Sequence, residues 1–397
     1  MRILVLENEP SSRRGGQELS LLDVCRGLAS RGHAIELLYR AGGDLLGEYA
    51  GFTARQDRVS AYAIDRSRAL VSAARLAGDL VQAGRTAPDV IYANQYLDSL
   101  FGRLLAWRFQ RPFVCHLRLP PPDVFCGQYR WGMAGPSRLI AISRQTREDY
   151  VARGFRRDRI DVVHNGLDVA QWVPASSAGD VRARFGLPRE ARLVVFAGRL
   201  HPAKGLETLI DALALLPEDV HAAIAGREIA DGRRDDYAPH LAARVAVRGV
   251  GARCHFLGHV PRIADLYGAA EAVVLPSVVS EAFGRSVVEA MACGVPAVAA
   301  KIGGVPEVLT GEFASLLFTP GDAAALASRL EAIAGWRVRD PQLARRCREH
   351  VARHFSIAQT IDGVEEVLRR TVAEWRSGTR THAAGEIVRS PKPCASA

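Results

Sequence analysis

Residues 273–308 read VVLPSVVSEAFGRSVVEAMACGVPAVAAKIGGVPEV, and the order of residue types in them decides the fold. The opening Val-Val-Leu is a short apolar run stopped by Pro276 and Ser277, the pattern of a buried strand. A loop carrying Glu281 follows, then a helical stretch carrying Glu289, a terminating Gly294 and a second apolar run over 295–300. This is a strand, helix, strand unit. Its first loop leaves the carboxyl edge of a parallel sheet, where the next helix presents unpaired N–H groups and the positive end of its dipole, so anions bind there. Phe283 and Gly284 stand where backbone amides approach a ligand closely. Two carboxylates beside an anion site suit recognition of sugar or ribose hydroxyls; a solvated helix with two surface glutamates is the plain alternative.

The same grammar extends in both directions. Upstream, 193–197 is a strand followed by GRLHPAKGLETLIDAL, in which Gly198, Arg199, Lys204 and Gly205 occupy a strand-to-helix junction. Two cations and two glycines there form a cradle for a diphosphate or an ordinary surface loop. Strands over 222–225 and 254–257 and a short helix over 263–267 lead into the quoted stretch. At the amino end, the strand 2–6, a polar loop with Gly15 and Gly16, and a helix over 18–30 open in the Rossmann manner, followed by strands over 34–39, 89–93, 112–116 and 138–142 and a last strand with an Asn-Gly turn over 160–168. Gly15 and Gly16 suit close approach to a phosphate as well as a bare turn. His116 falls at a strand's carboxyl end, a position more often structural than catalytic until its surroundings are considered.

A chain of 397 residues exceeds what one core usually serves, so two domains are expected. The segment 52–85 reads as helical, with arginines among small apolar residues: either a solvated helix face or a surface resting on an anionic bilayer. The formal charge of +9 comes almost wholly from Arg, with Lys204, Lys301 and Lys392 the only lysines. It points to an anionic partner or to no more than composition. Seven scattered Cys carry neither a disulfide framework nor zinc spacing. No apolar run is long enough to span a bilayer and the start is unlike a signal peptide, so a cytoplasmic address is expected, peripheral at the inner membrane face if the bilayer reading of 52–85 holds.

Taken together, the words along the chain resemble the retaining enzymes of glycosyltransferase family 4. They are GlyGly at 15 and 16, His116, IleSerArgGln from Ile142, HisAsnGlyLeuAsp from His164, GlyArgLeu(x3)LysGly from Gly198, and PheLeuGly from Phe256. ProSer at 276 and 277, Glu281-(x7)-Glu289 running into AlaMetAlaCysGlyValPro, and GlyGly at 303 and 304 complete the set. Ala282 stands where that family often has Gly. The resemblance implies the GT-B architecture, two Rossmann-like doubly wound domains facing a central cleft. Residues 1–172 would bind the acceptor, 185–355 bind the nucleotide sugar, and 356–376 cross back to the first domain; by composition 173–184 reads as a linker and 377–397 as a disordered tail.

It further implies that Arg199 and Lys204 hold the donor diphosphate and Glu289 the ribose. Glu281 with the Phe283-Gly284 backbone would hold the sugar, Gly15 and Gly16 would approach the phosphate, and His116 would lie near the sugar and leaving group. The catalytic set is then His116, Glu281, Arg199 and Lys204. No Asp-x-Asp pair occurs, so no metal or other cofactor is expected. The donor is a UDP-sugar ahead of a GDP-sugar, and no nucleic acid partner is expected. The acceptor expected is a lipid-linked or growing surface glycan, with a soluble small molecule or a catalytically silent GT-B-like binding protein as alternatives. A dinucleotide oxidoreductase is excluded by motif, since no G-x-G-x-x-G follows a strand.

Overall fold

Thirteen short strands carry the architecture in the computed structural model, which describes residues 1–83, 87–125, 127–228 and 237–378. Most of their apolar residues are buried on both faces, as expected where helices cover a parallel sheet from two sides; Phe256, on an edge strand, is exposed. The described chain divides into two units, Met1–Asn165 with the segment from Ile357, and Gly166–Ser356.

In the first unit β1 (Arg2–Glu7), β2 (Ala34–Tyr39), β3 (Arg55–Arg58), β4 (Val90–Ala93), β5 (Phe113–Leu117), β6 (Arg138–Ala141) and β7 (Ile160–Val162) pair in the order β3-β2-β1-β4-β5-β6-β7. Every pairing is parallel. In the second, β8 (Arg192–Ala197), β9 (Val220–Ala225), β10 (Cys254–Gly258), β11 (Ala272–Leu275), β12 (Ala297–Ala300) and β13 (Leu317–Phe318) run β10-β9-β8-β11-β12-β13, again parallel. The quoted stretch forms β11, the helix Arg285–Ala292 and β12, with Val273 beside Ala297. Each sheet reverses its strand order once, at β1/β4 and at β8/β11. Loops leaving the carboxyl ends of those strands diverge to opposite faces and leave a crevice, the usual ligand site of such sheets.

Two segments differ from the sequence expectation. Residues 52–85 are not one helix: Arg55–Arg58 is β3, and the helix covers only Ala69–Gln82. An edge strand is held by its backbone ladder on one side, so its side chains need not be apolar, and RQDR hides its strand character. Arg85 lies outside the described residues. Within the stretch read as a linker, Ala178–Arg184 is a helix, started by Ser177 accepting from the Asp180 N–H and anchored by the buried Val181. Ser177 and Asp180 were both visible; the Ala and Gly around them masked the cap. Of the tail read as disordered, 379–397 lies outside the described residues.

The helix Ile357–Arg376 belongs to the first unit, packing Ile361, Val364, Val367, Leu368 and Val372 into its core. The fit against the helix Gly16–Ser30 is close: a methyl on Gly27 would lie 2.1 Å from Ile361 Cδ1. Ion pairs at its rim join Glu365 to Arg31 (2.6 Å) and His33 (2.9 Å), and Glu374 to Arg138 (2.8 Å). Hydrogen bonds from Arg31, then His33, hold the Glu365 carboxyl well below its ordinary value, at about 2. A depressed carboxylate stabilises the fold above the ordinary glutamate range, and the contribution disappears as pH falls toward 2. Glu365→Gln is therefore expected to lower the thermal midpoint at pH 7 and to make little difference near pH 2. An equal loss at both pH values would show that packing, not charge, is affected. Among the described residues no helix is long and apolar enough to cross a membrane.

Candidate functional site

At the β8/β11 reversal, two loops from adjacent strands are sewn together. The backbone N–H of Val278, after β11, donates to the carbonyl of Ala203, after β8 (3.0 Å). Gly205, which starts the helix Leu206–Leu215, approaches so closely that a methyl there would lie 2.2 Å from the Pro276 carbonyl. Between these loops Lys204 Nζ meets Glu281 Oε1 at 2.5 Å, both side chains about four-fifths shielded from solvent, and the Ser277 hydroxyl donates to the same oxygen. The backbone of Glu281 is clamped from the other side. Gly304 N–H donates to its carbonyl at 2.8 Å, and Gly303, at φ 58°, lies so near that a methyl would fall 2.1 Å from that carbonyl oxygen.

One helix further on, Glu289 accepts from Arg285 Nε at 2.7 Å and lies 3.5 Å from the Tyr267 hydroxyl. Arg285 is the neighbour four residues back on the same helical face. Phe283 turns its ring into the core against Phe355 (centroids 5.6 Å apart), so its side chain does not face a ligand, and Gly284 caps the helix behind it. Arg199 is exposed on the loop after β8. Lys204, Glu281 and Glu289 are thus brought to one sheet edge with Arg199. Serine 277, Arg285 and Tyr267 join them unannounced, although the Ser277/Glu281 and Arg285/Glu289 spacings were legible.

The first unit has its own site at β1/β4. Gly15 caps the helix Gly16–Ser30 there, and Glu18 in its first turn is buried. A chain of hydrogen bonds runs from Glu7 Oε2 to Asn94 Nδ2 (2.7 Å), from Asn94 Oδ1 to Arg118 Nε (2.6 Å) and from Arg118 Nη1 to Asn165 Oδ1 (2.8 Å). All four side chains are buried. Burial, then the neighbouring Glu18, pushes Glu7 up to about 8, and burial raises Glu18 as well. Two acids this close and this dry cannot both ionise at low cost.

His116, on β5, is fully buried; its Nδ1 is 2.6 Å from the Tyr92 hydroxyl and its Nε2 has no partner. Burial, then Arg118, lowers its pKa far enough to keep the ring neutral. If Tyr92 donates to Nδ1, the ring proton sits on Nε2, leaving that nitrogen a donor. Arg118 was missed by the sequence reading, although it stands two residues after His116.

Two family descriptions match the chain: "Glycosyltransferase Family 4" over residues 14–171 and "Glycosyl transferases group 1" over 179–353. A D-inositol 3-phosphate glycosyltransferase of Xylanimonas cellulosilytica is 30% identical over 388 residues, spanning 83% of this chain and 85% of that one. One from Mycolicibacterium gilvum is 38% identical over 223 residues, 55% of this chain and about half (48%) of the relative's length. Among solved structures, Anabaena HepE in complex with UDP-glucose superposes with a TM-score of 0.81 at 27% identity, covering 93% of this chain and 100% of that one.

Proposed function

The chain belongs to glycosyltransferase family 4 and has its GT-B fold, and from that premise we propose that it transfers a sugar from a UDP-sugar to a hydroxyl of a small soluble acceptor, with retention at the anomeric carbon. The observation that carries this reading is the Lys204–Glu281 pair on two stitched loops at the β8/β11 crevice, with Arg199 on the same loop as Lys204 and Glu289 on the helix that follows Glu281. Departure of the nucleoside diphosphate places negative charge on its oxygens and positive charge on the anomeric carbon. Lys204 and Arg199 lie where they stabilise the first, and the Glu281 carboxylate where it accepts from sugar hydroxyls and offsets the second. Glu289, steadied by Arg285, accepts from ribose. The leaving phosphate takes the acceptor proton on the face from which it departs.

UDP is favoured over GDP by the HepE complexes, which hold UDP and UDP-glucose. The soluble acceptor is favoured over a surface glycan by relatives named for D-inositol 3-phosphate. One observation favours the lipid-linked reading instead: Leu70, Val81 and Trp107 of the first unit are 88%, 72% and 73% exposed. Apolar side chains left in water suit a bilayer. Flotation with anionic liposomes at low salt separates the two.

The reading itself is tested with a panel of UDP- and GDP-sugars in EDTA, following the unfolding midpoint and released nucleotide. A UDP-sugar is expected to raise the midpoint and to be hydrolysed slowly without metal. Binding that appears only on adding a divalent cation would overturn the metal-independent mechanism, and no binding at all would favour a silent GT-B-like binding protein.

A further inference from the structure

Arg118, just past the end of β5, is 4% exposed, yet among the described residues no carboxylate pairs with it. It is held by two amide oxygens instead: Nε donates to Asn94 Oδ1 (2.6 Å) and Nη1 to Asn165 Oδ1 (2.8 Å). Its remaining nitrogen, Nη2, is buried without a partner. Neutral amides orient a guanidinium without cancelling its charge. The acids in its surroundings do little to cancel it either. Glu7 on β1, which Arg118 reaches only through Asn94, is pushed by burial up to about 8, and burial raises Glu18 as well. A cation kept this dry, with so little charge set against it, acts across several ångströms.

Two groups feel it. Burial, then Arg118, drives His116 well below its ordinary value. Burial raises the Tyr92 hydroxyl, and Arg118 draws it back down. That hydroxyl is 2.6 Å from His116 Nδ1, with the ring centroids 6.0 Å apart and the planes tilted by 47°. Taken alone the contact is ambiguous, since either atom can supply the proton between them. Arg118 decides which one does. A guanidinium offers only donors, so the Tyr92 oxygen turns its lone pairs toward the cation and its hydrogen toward Nδ1. An uncharged imidazole that accepts at Nδ1 carries its proton on Nε2. The other titratable groups around the cluster are Cys25 on the helix Gly16–Ser30 and Cys115 on β5, and burial raises both thiols, so they stay uncharged.

We propose that Arg118 is a positioning residue: held between Asn94 and Asn165, it turns the Tyr92 hydroxyl toward His116 Nδ1 and so fixes the ring proton on Nε2. The effect on turnover rests on the glycosyl-transfer reading with His116 in its catalytic set; the effect on the ring proton does not.

Nitrogen-15 NMR of the full chain, reading both ring nitrogens of His116 between about pH 5 and 8, tests this. The wild type is expected to hold its proton on Nε2 throughout. Tyr92→Phe, which removes one oxygen, is expected to let the Nδ1–H form appear. Arg118→Met is expected to do the same and to bring the ring's titration up into that range, while Arg118→Lys, which keeps the charge, leaves the titration below it. Tyr92→Phe disturbs the packing least and decides the tautomer even where Arg118→Met does not fold. A wild-type ring protonated on Nδ1, or a tautomer unchanged in both Tyr92→Phe and Arg118→Met, overturns the assignment, and Arg118→Lys titrating as Arg118→Met does overturns the role of charge. With UDP-glucose as donor, Arg118→Met is expected to lower kcat about tenfold with KM within about twofold, and to cost less than about twofold in a His116→Gln background. Equal losses in the two backgrounds overturn action through His116. A wild type that turns over no nucleotide sugar while holding the proton on Nε2 removes the glycosyl-transfer reading and leaves the assignment of Arg118 standing.

Discussion

Glu281→Ala is expected to lower kcat about a hundredfold or more while the unfolding midpoint stays within a few degrees of wild type. The side chain lies on a loop, and its backbone is held by Gly303 and Gly304 and by the stitched Pro276–Ala203 loops, none of which needs the carboxylate. What is lost is functional: the acceptor of sugar hydroxyls and the partner that holds Lys204 Nζ in place. Lys204→Ala is expected to do comparable damage from the other side, removing charge from the leaving diphosphate and leaving Glu281 with Ser277 alone. Because the two side chains touch, their effects should not add. The double variant is expected to fall within about tenfold of the worse single one, a coupling that independent contacts to the donor would not produce. Either single variant keeping more than half of wild-type turnover would refute the assignment, and simple additivity would refute the coupling.

Gly303→Ala is expected to damage the enzyme nearly as much without touching a ligand-facing side chain. At φ 58° an alanine costs roughly 1–2 kcal/mol of backbone strain. Its methyl would also fall 2.1 Å from the Glu281 carbonyl oxygen and 2.6 Å from its nitrogen, so the loop carrying Glu281 must move. A displacement of about 1 Å at a reacting centre is enough to lose about a hundredfold. The control is Gly321→Ala. Gly321 also has a positive φ, 80°, but nothing within 4 Å of the added methyl. Both variants should lose a few degrees of midpoint, and only Gly303→Ala should lose turnover. Equal turnover in the two would mean that the close approach at Gly303 does not position Glu281.

The candidate site was unevenly legible. The paired glutamates, the cations before the helix Leu206–Leu215 and the glycine pairs all lie within short words whose spacing follows local helix and strand geometry, so Arg199, Lys204, Glu281 and Glu289 could be read in a line of letters. Arg118, Asn165 and Glu7 could not. Each is an ordinary polar residue next to an apolar run, and its importance comes from burial against partners dozens of residues away, as with Asn94 and Glu7, which are 87 residues apart. Strand β3 escaped notice because an edge strand carries no apolar stripe, and the helix Ala178–Arg184 because its short, small-residue sequence resembles a tether.

Sequence alone determined the kind of unit, parallel strand alternating with helix, because apolar periodicity and glycine punctuation are local and survive in one dimension. It also determined which loops carry charge beside a helix start. Only the tertiary structure decided that β8 lies next to β11 and β1 next to β4. Strand order is a non-local choice, set by how helices cover both faces of the sheet, and that choice brings Lys204 to Glu281 across 77 residues. It also decided protonation. The letters for Glu7, Asp98 and His116 do not say that burial keeps His116 and Asp98 neutral and lifts Glu7 to about 8, because the penalty for charge depends on how much water the finished fold excludes.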